Sequence, residues 1–341
     1  MSRTVAVYFV ASPLQYLAAR AVAAEFERGS RQVLVWYKRS VGALVQTQDW
    51  DIAAYMPWPR WEPLPGVWGR LRRLRANIDA VAALVGPCER LHLHSAVYDT
   101  EAINYFLRAL PPRVGAHTMR ARILPDGLIS TRRYPLSRLR RVLQYPRKLR
   151  RLVAPELDYW CFGGDRIGSD ADFCDRIYVL SGLPYAYPAH KVQVLPGLAR
   201  ASAPAAAAPR RALVIGQPLS GFALMSAADV QAVTMEVHAA LVAAGFEHID
   251  YKPHPKDRLQ ELAHADYRQI APAQALESHL ATEAYALIVG VRSSALLLAR
   301  QICSPDTRVE AFGWSRIRFK SEAERQGFEQ TFRDAGVVLH P

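Results

Sequence analysis

Ala201-Ser202-Ala203-Pro204-Ala205-Ala206-Ala207-Ala208-Pro209-Arg210 is the stretch that divides this chain. It is bounded by prolines, low in complexity and without an apolar face at a helical or strand period, so nothing in it packs against a core. As an interdomain linker it leaves residues 1–200 on one side and 211–341 on the other, each long enough to bury a core of its own.

Outward from the linker, both sides alternate strand with helix. Upstream, the apolar run Thr4 to Ala11 passes through Ser12-Pro13 into a helix-like Leu14 to Phe26 rich in Ala and Leu. Strand Gln32 to Tyr37, helix Leu71 to Val85, strand Arg90 to Leu93, helix Thr100 to Leu110 and strand Arg122 to Leu124 follow. Downstream come strand Ala212 to Ile215, helix Ala227 to Ala244, strand His248 to Lys252, helix Gln274 to His279, strand Ala286 to Val289 and helix Ala295 to Ile302. Such alternation predicts an α/β fold: two Rossmann-like domains, each a mostly parallel sheet covered by helices, facing a central cleft. Ligands of open α/β sheets bind outside the carboxyl ends of the strands, so the chemistry is sought in loops that follow strands.

Of 341 residues half are hydrophobic and 22% charged, the balance of a globular protein. The formal net charge of +12 favours anionic partners. The cationic residues concentrate in Arg132 to Arg151, where nine basic side chains interleave with Leu136, Leu139, Val142, Leu143, Leu149 and Leu152. That pattern reads as docking on an anionic membrane surface, or equally as a solvated face with arginine stems lying on apolar surface. Pro135 and Pro146 argue against one long helix there. No reader motif or stacking platform accompanies the charge, so nucleic acid is not expected as a partner.

The apolar Val5 to Val10 is too short, and too soon broken by Ser12-Pro13, to be read as a signal peptide. No run approaches the roughly 20 apolar residues of a membrane span. The expected location is the cytoplasm, peripheral to the membrane where the basic segment docks. Cys88, Cys161, Cys174 and Cys303 have neither metal-ligand spacing nor disulfide-scaffold density and read as reduced thiols.

Four post-strand loops carry polar residues among apolar neighbours: Ser12-Pro13-Leu14-Gln15, Pro125-Asp126-Gly127, Lys252-Pro253-His254-Pro255 and Arg292-Ser293-Ser294. His254 is held between two prolines, the second suited to open a helix-like Lys256 to Ala263, and its imidazole can give a proton or a hydrogen bond to a departing phosphate oxygen. A histidine that merely packs at a turn has the same neighbours. Ser293-Ser294 precedes an apolar helix, whose N-terminal N–H groups suit a phosphate, although serine is also an ordinary N-cap. Asp126 can act as a general base on a hydroxyl, or simply make an Asp-Gly turn. No G-x-G-x-x-G follows the first strand and no G-x-x-x-x-G-K-[ST] occurs, which argues against dinucleotide-dependent dehydrogenases and P-loop NTPases.

Taken in order, these motifs resemble those of the bacterial sialyltransferases of the lipooligosaccharide and polysialyltransferase type. Pro125-Asp126-Gly127 stands where that family has an acidic-acidic-Gly motif, His254-Pro255 matches its His-Pro motif, and Ser293-Ser294 its serine motif. The openings Ser12-Pro13-Leu14-Gln15 and Gly216-Gln217-Pro218-Leu219 also look familial. The resemblance implies a GT-B fold and inverting transfer of a sialic acid or related 2-keto acid sugar from a CMP-activated donor to a glycan or glycolipid hydroxyl. Asp126 would be the base, and His254 the acid or phosphate contact. Gln217, Lys252, Pro255, Arg292, Ser293 and Ser294 would bind the donor, and Ser12, Gln15 and Gly127 the acceptor side.

Neither cofactor nor metal is expected, since a histidine, hydroxyls and a helix terminus supply the electrostatics and no carboxylate pair with ligand spacing is present. Pro125, at the first acidic position, is the departure from the family pattern. It leaves as alternatives a transferase using CMP-Kdo, CMP-pseudaminic or legionaminic acid, or CDP-glycerol, and a silent glycan-binding module.

Overall fold

The computed structural model describes residues 4–126, 133, 135–198, 210–271 and 276–341. Gly127, Arg132, the stretch 201–209 of the expected linker and Gln274 lie outside the described residues. The chain divides into two compact units, one of Met1–Val179 with Tyr185–Leu195 and the other of Leu180–Pro184 with Pro196–Pro341.

The first unit holds seven strands: β1 (Thr4–Val10), β2 (Arg31–Trp36), β3 (Ile52–Tyr55), β4 (Arg90–Ser95), β5 (Thr118–Ile123), β6 (Cys174–Leu180) and β7 (Val192–Leu195). Their order is β3-β2-β1-β4-β5-β6-β7, with β1, β2, β3, β4, β5 and β6 paired in parallel. β1 is central and buried on both faces, which is why its sequence is continuously apolar and does not alternate. One face of the sheet packs Val5, Val7, Phe9, Leu91 and Leu93 into a core with Leu74, Ile78, Val81 and Val85 from the helix Gly69–Val85. The register sets Tyr8 beside His94 and His94 beside Arg122 on the other face, where Glu27 pairs with Arg122.

The second unit holds β8 (Arg211–Ile215), β9 (His248–Lys252), β10 (Arg268–Gln269), β11 (Leu287–Gly290), β12 (Arg308–Ala311) and β13 (Val338–Leu339). The order β10-β9-β8-β11-β12-β13 is parallel throughout. In each unit the chain steps outward from its first strand on one side and then crosses to the other, so a topological switch point falls between β1 and β4 and again between β8 and β11.

Several elements depart from the sequence reading. β3, β6, β7, β10, β12 and β13 and the helix Glu322–Asp334 are additional; most of these strands are short, and β12 carries Arg308 and Glu310, which pair with each other. The helical stretch from Thr100 is broken into Glu101–Asn104 and Phe106–Arg113. The helix expected over Lys256 to Ala263 does not form. There the Asp257 carboxylate accepts the N–H groups of Leu259 (3.1 Å) and Glu261 (2.7 Å), and Gln260 and Leu262 take positive φ of 52° and 69°, which no right-handed helix permits. None of the described helices is long and apolar enough to cross a membrane. The four cysteines are free thiols.

Candidate functional site

In the second unit three loops leave the carboxyl ends of the adjacent strands β9, β8 and β11. β8 runs directly into Gly216-Gln217. The Gly216 N–H donates to the Lys252 carbonyl (2.9 Å), and a Cβ on Gly216 would lie 2.4 Å from the Tyr251 hydroxyl, so only glycine lets this loop press on the end of β9. Gln217 is 8% exposed, and its Nε2 donates to the Arg292 carbonyl at 2.9 Å, stitching the β8 loop to the β11 loop across the switch point. Its Oε1 is buried and has no hydrogen-bond partner among the described residues. A buried amide oxygen left this way costs stability unless water or a ligand donates to it.

His254 is half-buried after β9. Its Nδ1 accepts the Lys256 backbone N–H at 3.1 Å, which in the neutral ring puts the proton on Nε2. Burial pushes its pKa down, against a smaller upward pull from Asp257. The ring therefore offers an Nε2–H donor at neutral pH. The Phe222 ring meets it edge-on, with centroids 6.5 Å apart. Lys252 is buried and its Nζ donates to the Ala271 carbonyl at 2.7 Å, while burial lowers the pKa of the ammonium.

Ser293 caps the helix Ser294–Ile302: its Oγ accepts from Ala295 N–H (3.3 Å) and its carbonyl from Leu296 N–H (3.0 Å). Leu296, Leu297, Ala299 and Ile302 hold the helix down through its buried face, and Ser294 stays exposed at its first turn. The Arg292 side chain turns toward the C-terminal helix, its guanidinium 4.0 Å from the Phe328 ring centre and 4.9 Å from that of Phe319, with Glu324 at 3.4 Å. What Arg292 gives the loop cluster is its carbonyl, not its charge. Gln217, Ser293 and Ser294 thus lie in two joined loops at a helix terminus with positive polarity, and His254 is on the loop after the adjacent strand β9, an arrangement suited to a phosphorylated ligand.

Two contacts here had no sequence signal. Ser220 donates its N–H and hydroxyl to the buried Glu261, tying the β8 loop to the loop beyond His254, and Tyr251 donates its hydroxyl to the Glu261 carbonyl at 2.9 Å. Both partners lie tens of residues or a turn away, where no motif relates them.

In the first unit Ser12 and Gln15 close on each other. Gln15 N–H donates to Ser12 Oγ (3.2 Å) and Gln15 Oε1 accepts from Ala11 N–H (2.7 Å), a reciprocal cap on the helix Pro13–Glu25. Asp126 is half-buried beyond β5, after Leu124, whose N–H donates to Ser95 O (3.1 Å). Its charge adds to burial in raising the pKa of Tyr37, which places the two groups in electrostatic range, and Tyr37 stacks on Trp58 with centroids 4.4 Å apart. These three residues come from the ends of β5 and β2 and the loop after β3.

Residues 176–308 match the family model of alpha-2,8-polysialyltransferase (POLYST). Over that stretch the chain is similar to the polysialyltransferase family. The matched segment contains Gln217, Lys252, His254, Ser293 and Ser294, and leaves Ser12, Gln15 and Asp126 outside it. Among solved structures the chain is similar to an alpha/beta-galactoside alpha-2,3-sialyltransferase from the luminous marine bacterium Photobacterium phosphoreum, with 10% identity, TM-score 0.52, and 99% of each chain covered. It also matches the E. coli ADP-heptose LPS heptosyltransferase II, with 10% identity, TM-score 0.44, and 91% and 84% covered. A third match is the glycotransferase of kitacinnamycin, with 12% identity, TM-score 0.43, and 98% and 85% covered. No curated protein sequence matches the chain. The fold is the two-unit, parallel-sheet GT-B type.

Proposed function

We propose that the protein moves a sialic acid or related 2-keto acid sugar from a CMP-activated donor to a hydroxyl of a glycan or glycolipid, inverting the anomeric centre. The observation that carries this reading is the Gln217 corner. Its buried, unpartnered Oε1 lies in the loop bonded to Arg292, one residue before the Ser293 cap, and so asks for a hydrogen-bond donor beside an anion-favouring helix terminus. A nucleoside monophosphate has both parts, amine and hydroxyl donors on the nucleoside and a phosphate for Ser293, Ser294 and the helix N–H groups.

In the reaction Asp126 takes the proton of the acceptor hydroxyl, whose oxygen forms the new bond to the anomeric carbon as the bond to the CMP oxygen breaks. His254 Nε2–H stabilises the charge that develops on the departing phosphate. Lys252, Pro255 and Gly216 shape the phosphate loop, and the Ser12–Gln15 cap fixes the end of β1. Charge on the phosphate is met by these groups without a metal ion.

The test is nucleotide release from a panel of CMP-sialic acid, CMP-Kdo, CMP-pseudaminic and legionaminic acids and CDP-glycerol, each with and without glycan acceptor. Release of CMP from a 2-keto acid sugar is expected. Turnover of CDP-glycerol alone, or binding of CMP with no donor ever consumed, would overturn it.

A further inference from the structure

Beyond the buried Leu136, the segment 139–153 turns its apolar side chains outward beside exposed arginines. Its buried members include Gln144, 4% exposed, whose carboxamide donates to the Phe162 carbonyl (3.0 Å) and accepts from the Phe162 N–H (2.7 Å). Arg147 is also turned inward, to the Tyr159 hydroxyl at 3.2 Å, and Arg150 pairs with Glu101. Leu139, Val142, Leu143, Leu149, Leu152 and Val153 face outward, Val153 at 80% exposure. The hydrophobic effect within a lone chain would select the opposite arrangement. The backbone runs through two short helices, Arg138–Val142 and Tyr145–Lys148, and a 3-10 turn, so the pattern is fixed by these polar anchors and not by one helix face.

A second segment of the same unit repeats the feature. Trp61, Val67 and Trp68 are exposed, Trp68 at 74%. Trp68 also sits at φ 64°, which costs a bulky residue strain, on a turn locked by Gly69, where a Cβ would lie 1.8 Å from the Leu64 carbonyl oxygen. An indole that is both strained and solvated is held out for a contact.

The two segments meet. A cavity of about 420 Å³ is lined by Trp58, Arg60, Trp68 and Arg70 from one and Arg150 from the other, with Glu101 between them. Burial, and after it the charge of Arg70, holds the Arg150 guanidinium below its usual pKa. Of the 17 large hydrophobic side chains that are exposed among the described residues, ten fall in 61–68 and 139–153, so this is a patch and not scatter. It is also cationic: 136–153 has seven basic residues and no acidic one, and 58–75 has five basic residues against Glu62.

We propose that these two segments form one docking face for an anionic lipid bilayer, with Trp61, Val67, Trp68 and the outward leucines entering the headgroup boundary and the arginines engaging lipid phosphates. Interleaved cations without acids match a surface of uniform negative charge, and exposed indoles suit the interfacial zone.

The experiment is flotation of the full chain with vesicles of phosphatidylcholine plus phosphatidylglycerol, and with phosphatidylcholine alone, at low and high salt. Binding to the anionic vesicles, weakened by salt, is expected. Trp61→Ser with Trp68→Ser, and separately Leu149→Ser with Leu152→Ser, should each lower partitioning at least about tenfold. Arg140→Glu with Arg141→Glu should lower it about thirtyfold or more. All six positions are exposed, so unchanged melting temperatures separate lost docking from lost folding, and Trp68→Ser alone serves if a double variant fails to fold. Absence of binding to either vesicle, equal binding to both, or self-association abolished by these substitutions while vesicles stay unbound would each overturn the proposal. Nucleotide release in solution does not enter the readout, so this result stands apart from that of the donor panel.

Discussion

The first turn after the leading strand uses nearly the same residues in the two units, Ser12-Pro13-Leu14-Gln15 after β1 and Gln217-Pro218-Leu219-Ser220 after β8. In the first unit the corner satisfies itself: Ser12 caps Gln15, and the Gln15 carboxamide oxygen is taken by Ala11 N–H. In the second, Ser220 is spent on Glu261 and Gln217 on Arg292, with the Gln217 Oε1 left buried and unpaired. A self-satisfied corner stabilises the fold and has little left to offer a ligand. A corner with a buried unpaired acceptor is less stable than it could be, which is what a binding site looks like before its ligand arrives.

The largest effect expected from breaking this contrast lies at the residues proposed for the chemistry. His254→Ala and Asp126→Asn should each reduce transfer by about 10²- to 10⁴-fold with the melting temperature nearly unchanged, measured as CMP release with acceptor present. Wild-type rates in both variants would move the chemistry elsewhere. Because burial depresses the His254 pKa, kcat/KM is expected to hold from neutral pH upward and to fall on the acid side as the ring protonates. An alkaline fall with a midpoint near or below pH 6.5 would instead make the imidazolium the acid.

The two corners can then be exchanged in their roles. Gln217→Met should weaken CMP binding by about tenfold, read by calorimetry, and leave stability level or slightly raised. Gln15→Met should do the reverse, leaving CMP affinity alone and costing about 1 kcal/mol as Ala11 N–H loses its partner. Gly216→Ala, whose Cβ would crowd the Tyr251 hydroxyl, should cost about 1–3 kcal/mol and weaken CMP binding as well.

A further difference lies beneath the sheets. In the first unit His94 is fully buried between the rings of Tyr8 and Tyr178, its Nε2 3.3 Å from a Glu27 carboxylate oxygen, and burial lowers its pKa to about 3. In the second, Asp250 is lowered to about 2, burial opposing and hydrogen bonds from Arg268, Arg211 and Tyr285 prevailing. Both folded values lie below the unfolded ones, so both contributions are present at neutral pH and are lost on acidification. That of His94 begins to go near the unfolded histidine value of about 6.5, and that of Asp250 only below about 4. Urea unfolding from pH 7 to 4 should show a slope of up to about 1.4 kcal/mol per pH unit that His94→Phe flattens and a change at Asp250 does not. The smallest effect is expected from a chelator, which should leave the transfer rate unchanged.

The sequence by itself determined the two-unit α/β plan, because a central parallel strand buried on both faces must read as a continuous apolar run, as Thr4–Val10 and Ala212–Ile215 do. It also pointed to His254 and Ser293-Ser294, whose prolines and helix start are local signals. Only the tertiary structure separated Gln15 from Gln217, turned the Arg292 charge onto Phe319 and Phe328, brought Tyr37 near Asp126, and pointed the leucines of 139–153 outward around a buried Gln144. A hydrogen bond's worth depends on whether its partner sits in place, and a leucine's on which way its backbone turns. Both are fixed by residues distant in the chain, which no local pattern records.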